Sequence, residues 1–223
     1  MSFDIVIIGA GISGAGAGYA LAGKRKILLL EGESRPGYHS TGRSAAVYEP
    51  NLGNATVRAF NVASGPFLKA PPKGFAEAPL VTPRGELTIC DGEHRPALDA
   101  LLALDGIGGN RVHEITLDEA AARMPVFRRE AFRWAAYEPG VMDLDVHAIH
   151  QGYLKGFAAR GGRLLCDAPV RRIECRDGLW RIEAGGETVT APLVINAAGA
   201  WADTVAGLAS LPPLGLQPRR LRH

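Results

Sequence analysis

A glycine-rich turn between two short apolar runs is the feature that most constrains the fold of this chain. The sequence GAGISG at 9–14 reads G-x-G-x-x-G, and it follows the apolar run 3–8 and opens a small-residue segment at 12–23. A second apolar run at 26–30 ends at Glu31. This order predicts a strand, a tight turn, a helix and a second strand within about thirty residues, which is the βαβ unit of dinucleotide-binding folds.

Each residue of the predicted turn has a physical task in such a unit. Gly9 allows the tight turn, Gly11 lets the backbone approach a pyrophosphate, and Gly14 lets the helix and strand pack closely. Ile12 and Ser13 belong to the first turn of the helix, whose free N–H groups and partial positive charge favour a phosphate. We therefore expect residues 9–14 to bind the diphosphate of a cofactor.

The carboxylate of Glu31 narrows the choice of dinucleotide. At this position a carboxylate accepts hydrogen bonds from the adenosine ribose and repels the 2′-phosphate of NADP, which leaves NAD and FAD. The alternative is a charged residue that only ends a strand at the surface. Two further stretches favour FAD: HSTGRSAA at 39–46, where an NAD-binding fold usually continues with strands and helices, and the apolar strand 193–195 with its small-residue turn at 197–199.

With these stretches the sequence resembles the D-amino acid oxidase family of FAD-dependent oxidoreductases, over essentially all of its 223 residues. The matching segments are DIVIIGAGISG at 4–14, LLLEGE at 28–33, HSTGRSAA at 39–46, GVMDLDVHAIHQGYLKGFAARGGRL at 140–164, APVRRI at 168–173 and LVINAAGAWAD at 193–203. Within the family, PGYHSTGRSAA and HQGYLKG look most like bacterial D-amino acid dehydrogenases of the D-arginine type.

The resemblance implies an α/β fold, with a Rossmann-like FAD-binding domain and a partial α+β substrate domain. The implied limits are 1–75 for the first part of the FAD-binding domain, 76–138 for the partial substrate or cap domain, 139–212 for the second part of the FAD-binding domain, and 213–223 for a truncated entry to the substrate domain.

The resemblance also implies which residues bind FAD. Gly9, Gly11, Gly14 and Glu31 would hold the ADP half, and the backbone at Val170 would meet the adenine. The other implied cofactor-binding residues are Ile12, Ser13, Gly32, Ser40, Thr41, Gly42, Arg43, Ser44, Ala45, Ala46, Ala198, Gly199 and Trp201. Core packing is the alternative role for Val170 and Trp201, and a solvated surface position is the alternative for Arg43.

The implied reaction oxidises the CH–NH₂ group of a D-amino acid to an imino acid, with a hydride passing to the flavin N5. The sequence identifies no catalytic residue. Val47, Tyr48 and Arg220 are the candidates for contact with the substrate. Val47 stands where the dehydrogenases often carry a polar residue, and Leu52 replaces an aromatic hydroxyl, so these positions disfavour a cationic substrate such as D-arginine.

Composition excludes several other classes of protein. The formal net charge is +2 and the basic residues are scattered apart from a terminal cluster, which disfavours a nucleic-acid partner. The three cysteines stand far apart without a C-x-x-C pair, so we expect neither a disulfide framework nor a metal site. There is no run of about twenty apolar residues that could form a transmembrane segment, and no signal peptide, which predicts a cytoplasmic protein.

Members of the family are longer than this chain, which leaves two other hypotheses open. One is a non-catalytic truncated remnant, or one half of a split flavoenzyme that needs a partner chain. A truncated sheet would expose an edge, so a partner chain or an oligomer could cover it. The other hypothesis is an NAD-binding Rossmann protein, which leaves residues 39–46 unexplained.

Overall fold

The computed structural model describes residues 1–104, 106, 110–126 and 128–219. The strands are β1 (Ile5–Ile8), β2 (Ile27–Leu30), β3 (Val47–Tyr48), β4 (Val81–Pro83), β5 (Glu86–Cys90), β6 (His113–Ile115), β7 (Trp134–Glu138), β8 (Met142–Leu144), β9 (Arg163–Leu165), β10 (Val170–Arg176), β11 (Leu179–Ala184), β12 (Glu187–Ala191) and β13 (Leu193–Asn196). The helices are α1 (Ile12–Leu21), α2 (Ala55–Lys69), α3 (Arg95–Leu102), α4 (Leu117–Arg123), α5 (Val146–Ala159) and α6 (Ala202–Leu208). Across the described ranges, no helix has both the length and the apolar character needed to cross a membrane.

The chain divides into two compact units. The first combines Met1–Ser44 with Val146–His223, and the second is Ala45–Asp145. The first unit contains a parallel sheet in the order β13-β1-β2-β9 and an antiparallel sheet in the order β10-β11-β12. The predicted βαβ unit is confirmed, because β1 and β2 pair in parallel on either side of α1 in the sequence.

The parallel sheet of the first unit is buried on both faces by different layers. Val6 and Leu28 pack with Ile182 and other residues of the antiparallel sheet. Ile7 lies on the opposite face and packs with Phe157 of α5. All four residues of β1 and of β2 are buried, as their continuous apolar runs predict for a parallel sheet covered on both sides. The predicted α/β fold with a Rossmann-like domain is confirmed.

The glycines of α1 allow the helix to approach its neighbours closely. A Cβ atom at Gly14 would clash with the carbonyl oxygen of Gly9, and one at Gly18 would lie 3.1 Å from the Phe157 ring. Next to this contact, the rings of Tyr19 and Tyr153 lie 5.4 Å apart. The glycines of α1 have a low helix propensity, but they let α1 pack closely against β1 and α5, and this packing offsets the loss of helix stability.

The second unit contains two antiparallel sheets, in the orders β3-β8-β4 and β5-β7-β6. Asn54 caps the N-terminus of helix α2, and its side-chain oxygen accepts the N–H groups of Thr56 and Val57, each at 3.1 Å. Helix α4 begins with a capping box between Thr116 and Glu119. The mixture of strands and helices without βαβ units agrees with the predicted α+β character of this part of the chain.

The limits of the two units differ from the predicted domain limits. Residues 45–75 and 139–145 were predicted to belong to the FAD-binding domain, and they lie in the second unit. The structural reason is local, because β3 pairs with β8 and the Tyr48 hydroxyl lies against Gly65 of α2. That these segments belong to the FAD-binding domain stays a prediction.

A cluster of polar side chains lies within the second unit. The carboxylates of Glu49, Glu86 and Glu138 have oxygens within 4.8 Å of one another, and the Asn51 and Asn110 amides donate to Glu138 Oε1 at 3.0 and 2.5 Å. Burial, and then the charges of Glu86 and Glu138, raise the pKa of Glu49 to about 7. Carboxylate oxygens can bind divalent cations. The sequence predicts that the protein has no metal site, and that absence stays a prediction.

We expect Glu49→Gln to stabilise the protein at pH 8 but not at pH 4. The folded-state pKa of about 7 lies above the ordinary value of 4.5, so the folded protein loses stability as the pH rises between these values. At pH 8 the free energy of unfolding should rise by about 1 kcal/mol, after a discount for solvent screening of this partly exposed group. Urea unfolding at both pH values measures the change, with the exposed Glu77→Gln as control. The same gain at pH 4 would contradict the expectation.

Candidate functional site

A cavity of about 410 Å³ lies in the first unit, where the chain leaves the carboxyl ends of β1, β2 and β13. Ligands of open α/β sheets bind at this end of the strands. Ten of the predicted cofactor-binding residues line this cavity: Gly9, Gly11, Glu31, Gly32, Ser40, Thr41, Val170, Ala198, Gly199 and Trp201. The structure thus brings together residues that are up to 192 positions apart in the sequence, as the positions of Gly9 and Trp201 show.

The turn between β1 and α1 is narrow because β13 lies directly beside it. Gly9 has a φ of +100°, and a Cβ atom there would lie 2.5 Å from the carbonyl oxygen of Ala197. The N–H group of Gly9 donates to the Leu30 carbonyl at 2.8 Å, and the N–H of Ala197 donates to the Ile8 carbonyl at 2.8 Å. Only glycine combines this left-handed backbone with so close a neighbour.

Side chains from two other segments hold the turn by its backbone. The Ala10 N–H donates to Glu31 Oε2 at 2.9 Å, and the Ile12 N–H donates to Thr41 Oγ1 at 3.0 Å. The other carboxylate oxygen of Glu31 accepts the N–H of Glu33 at 3.1 Å. Each carboxylate oxygen has a second lone pair, so Glu31 keeps acceptor capacity for a ligand hydroxyl while it holds the protein backbone.

The segment before Ser44 folds back on itself. Residues Thr41–Arg43 form a 3-10 helix, and a Cβ atom at Gly42 would lie 2.5 Å from the Gly37 carbonyl oxygen. The Arg43 guanidinium lies 5.1 Å from the centre of the Tyr38 ring, a cation–π contact. Thr41 lines the cavity, whereas Gly42 and Arg43 do not.

One wall of the cavity is aromatic. The rings of His39 and Trp201 lie 4.5 Å apart, and His39 Nε2 is 2.8 Å from Glu33 Oε1. Tyr38 packs edge-on against His39, with ring centres 5.1 Å apart. Trp201 is 48% exposed, so its indole is available to a ligand as well as to His39. These contacts give the cavity flat aromatic surfaces beside the carboxylate of Glu33.

The sequence did not identify Glu33, Tyr38 and His39 as site residues, although all three line the cavity. Their position between Glu31 and Ser40, two predicted site residues, was a signal that could have found them. Pro169, Thr204 and Leu208 also line the cavity and were not predicted.

Several predicted site residues lie elsewhere. Ile12, Ser13, Gly14, Gly42, Arg43 and Ser44 belong to the first unit but do not line the cavity. Ala45, Ala46, Val47 and Tyr48 belong to the second unit. Their contact with a cofactor or substrate stays a prediction.

The two substrate candidates of the second unit have different surroundings. Val47 lines a second cavity, of about 520 Å³, together with Arg84, Arg123 and Tyr137. The side chain of Tyr48 is buried and lies against α2. Arg220, the third candidate, lies outside the described residues.

Comparison with known proteins identifies the family. The family model described as FAD dependent oxidoreductase matches residues 4–223. The chain belongs to this family. FAD is therefore its cofactor, as the sequence predicted, and the cavity is lined by the glycine turn and by Glu31, which the sequence predicts to bind the diphosphate and the ribose.

The chain is similar to a named relative in sequence and to solved structures in fold. The L-2-hydroxyglutarate dehydrogenase of Indibacter alkaliphilus is 26% identical over 214 residues, which are 92% of this chain and 52% of the relative. Glycine oxidase from Geobacillus kaustophilus has a TM-score of 0.82 at 20% identity, covering 93% of this chain and 58% of that one. The L-alpha-glycerophosphate oxidase of Mycoplasma pneumoniae, solved with FAD bound, has a TM-score of 0.80 at 18% identity, covering 94% and 57%. The chain spans about half the length of these relatives.

We expect Thr41→Val to weaken FAD binding by about three- to tenfold, because the Ile12 N–H loses its acceptor and the loop loses its hydrogen bond to the turn. Thr41→Ser keeps the hydroxyl and serves as the matched control, with an expected affinity close to that of the wild type. Titration of the apoprotein with FAD, followed by flavin fluorescence, gives both dissociation constants. Equal affinities for the Val and Ser variants would contradict this role of Thr41.

Proposed function

We propose that the cavity of the first unit binds FAD and that the whole protein oxidises the CH–NH₂ group of a D-amino acid to an imino acid. The observation that carries the proposal is the convergence of the glycine turn, Glu31 and Thr41 on one cavity at the carboxyl ends of parallel strands. Family membership supports the redox class of the reaction. When bound, the flavin accepts the hydride, and the protein supplies binding and orientation.

The polar and apolar parts of the cavity suggest how the cofactor is arranged. The turn at Gly9 and Gly11 would take the pyrophosphate, next to the N-terminus of α1. Glu31 would accept hydrogen bonds from the adenosine ribose, and Val170 and Trp201 would flank the adenosine. Residues 40–46 would then lead along the ribityl chain towards the isoalloxazine.

The second unit follows the cofactor segment without a break, which supports a role in binding the substrate. Val47 is three residues beyond Ser44, so the Cα atoms of these two residues lie within about 11 Å of each other by chain length alone. From the resemblance to D-arginine-type dehydrogenases, the proposal keeps the oxidation of a D-amino acid and does not keep D-arginine as the substrate. Val47 and Leu52 replace polar positions of that type, so a neutral or acidic D-amino acid suits this chain better.

A 2-hydroxy acid is the second candidate substrate. The relative from Indibacter alkaliphilus is named for L-2-hydroxyglutarate, and the oxidation of a hydroxy acid likewise removes a hydride from the carbon beside a carboxylate. The third candidate is a non-catalytic remnant or one half of a split flavoenzyme.

Anaerobic reduction of the bound flavin separates these candidates. The apoprotein is loaded with FAD, freed of excess cofactor and mixed with D-alanine, D-glutamate, D-arginine or L-2-hydroxyglutarate, with L-alanine and L-glutamate as stereochemical controls. We expect a yellow protein whose visible absorbance bleaches with a neutral or acidic D-amino acid. Bleaching by the hydroxy acid alone would support the second candidate, and a yellow protein that no substrate bleaches would support the third. A protein that does not retain FAD would overturn the assignment of the cavity.

A further inference from the structure

A buried histidine from the second half of the first unit contacts the glycine turn. His150 lies on α5 and is 3% exposed, and its Nε2 lies 2.8 Å from the carbonyl oxygen of Ala10. A backbone carbonyl can only accept a hydrogen bond, so Nε2 must carry the proton and donate it. The sequence placed this residue in the matched segment 140–164 but gave it no role.

The ring of His150 also supports the loop that carries Thr41. A Cβ atom at Gly37 would lie 2.9 Å from Cε1 and 3.1 Å from Nδ1 of the ring. Gly37 has a φ of +75°, a conformation that glycine adopts without strain. One imidazole therefore packs between the turn and the loop, and its Nε2 side holds the turn by a hydrogen bond.

The hydrogen bond to Ala10 fixes the direction of the neighbouring N–H group. In a trans peptide the C=O of one residue and the N–H of the next point in opposite directions, and the described residues contain no cis peptide bond. Because the Ala10 carbonyl points to α5, the Gly11 N–H points away from α5. Gly11 lines the cavity, to which no residue of α5 contributes, and within the described ranges the Gly11 N–H has no acceptor.

We propose that His150 is a positioning residue for the diphosphate of the cofactor. Its Nε2–H group holds the peptide between Ala10 and Gly11 in one orientation, so that the Gly11 N–H is presented to a phosphate oxygen. The Glu31 carboxylate holds the Ala10 N–H on the other side of the same residue. The inference rests on the proposed binding of FAD in this cavity.

Substitutions of His150 that differ in reach test this role. Gln places an amide N–H close to the position of Nε2, whereas Asn is too short to reach Ala10 and Leu cannot donate. His147→Leu, at an exposed position on the same helix, is the matched control. The probes are FAD and ADP, which carry the diphosphate, and adenosine, which lacks it. Calorimetry or fluorescence titration gives the dissociation constants, NMR titration covers weak binding of adenosine, and circular dichroism confirms folding.

We expect His150→Leu and His150→Asn to weaken ADP and FAD binding by about tenfold or more. His150→Gln should stay within about threefold of the wild type, and His147→Leu should match it. Adenosine affinity should be the same for every folded variant, because the locked peptide faces the diphosphate. If the Leu variant does not fold, the comparison of Asn with Gln decides. Equal losses for adenosine and ADP, or no loss in the Leu and Asn variants, would overturn the proposal.

A second measurement needs no substitution. Nitrogen-15 NMR of labelled wild-type protein should show a proton on Nε2 of the His150 ring, and an Nε2 that carries no proton would overturn the proposal. If wild-type protein binds neither ADP nor FAD, the assignment of the cavity fails before the role of His150 is tested. If it binds both and the variants bind equally well, only the role of His150 fails.

Discussion

The arrangement of the first unit depends on a single backbone constraint, the left-handed turn at Gly9 beneath the carbonyl of Ala197. A side chain at residue 9 would push β13 away from β1, and the parallel sheet would lose one edge of its cavity. Gly14 has the matching task on the other side of the turn, since any Cβ there meets the Gly9 carbonyl. Because of these steric limits, the start of α1 lies beside the end of β13. Glu31 and Thr41 then accept hydrogen bonds from the backbone of the turn.

The two layers that cover the parallel sheet also define two sides of the site. The antiparallel sheet β10-β11-β12 covers one face and brings Val170 to the cavity wall. Helix α5 covers the opposite face, contributing Phe157 to the core and His150 to the turn. Core packing and ligand positioning are therefore properties of the same helix, and the small residues of α1 serve both because they let α5 come close.

Local patterns made much of the first unit predictable from the sequence. The apolar runs that became β1 and β2 and the G-x-G-x-x-G turn each fix a conformation within a few residues. Gly185 and Gly186 both have positive φ, as the tight turn between β11 and β12 requires. The cofactor followed from the same local signals together with the resemblance.

Other features depend on partners that are distant in the sequence. Strands β3, β4 and β8 have two or three residues each, too few to show alternation, and they form because they pair with one another. His150 received no role because its partner, Ala10, is 140 residues away. The two units are also divided at other positions than the predicted domains, and within the second unit Tyr48 of β3 lies against Gly65 of α2.

The pairing of β1 with β13 has a consequence for how the protein is made. Ile5 is synthesised before the second unit, yet its partner Leu193 is synthesised after the whole of that unit. We infer that one edge of β1 stays unpaired while residues 45–145 are translated. Pairing of β13 with β1 is then a late, slow step of folding. During that interval the exposed edge of a strand with four apolar residues is a site where aggregation can begin.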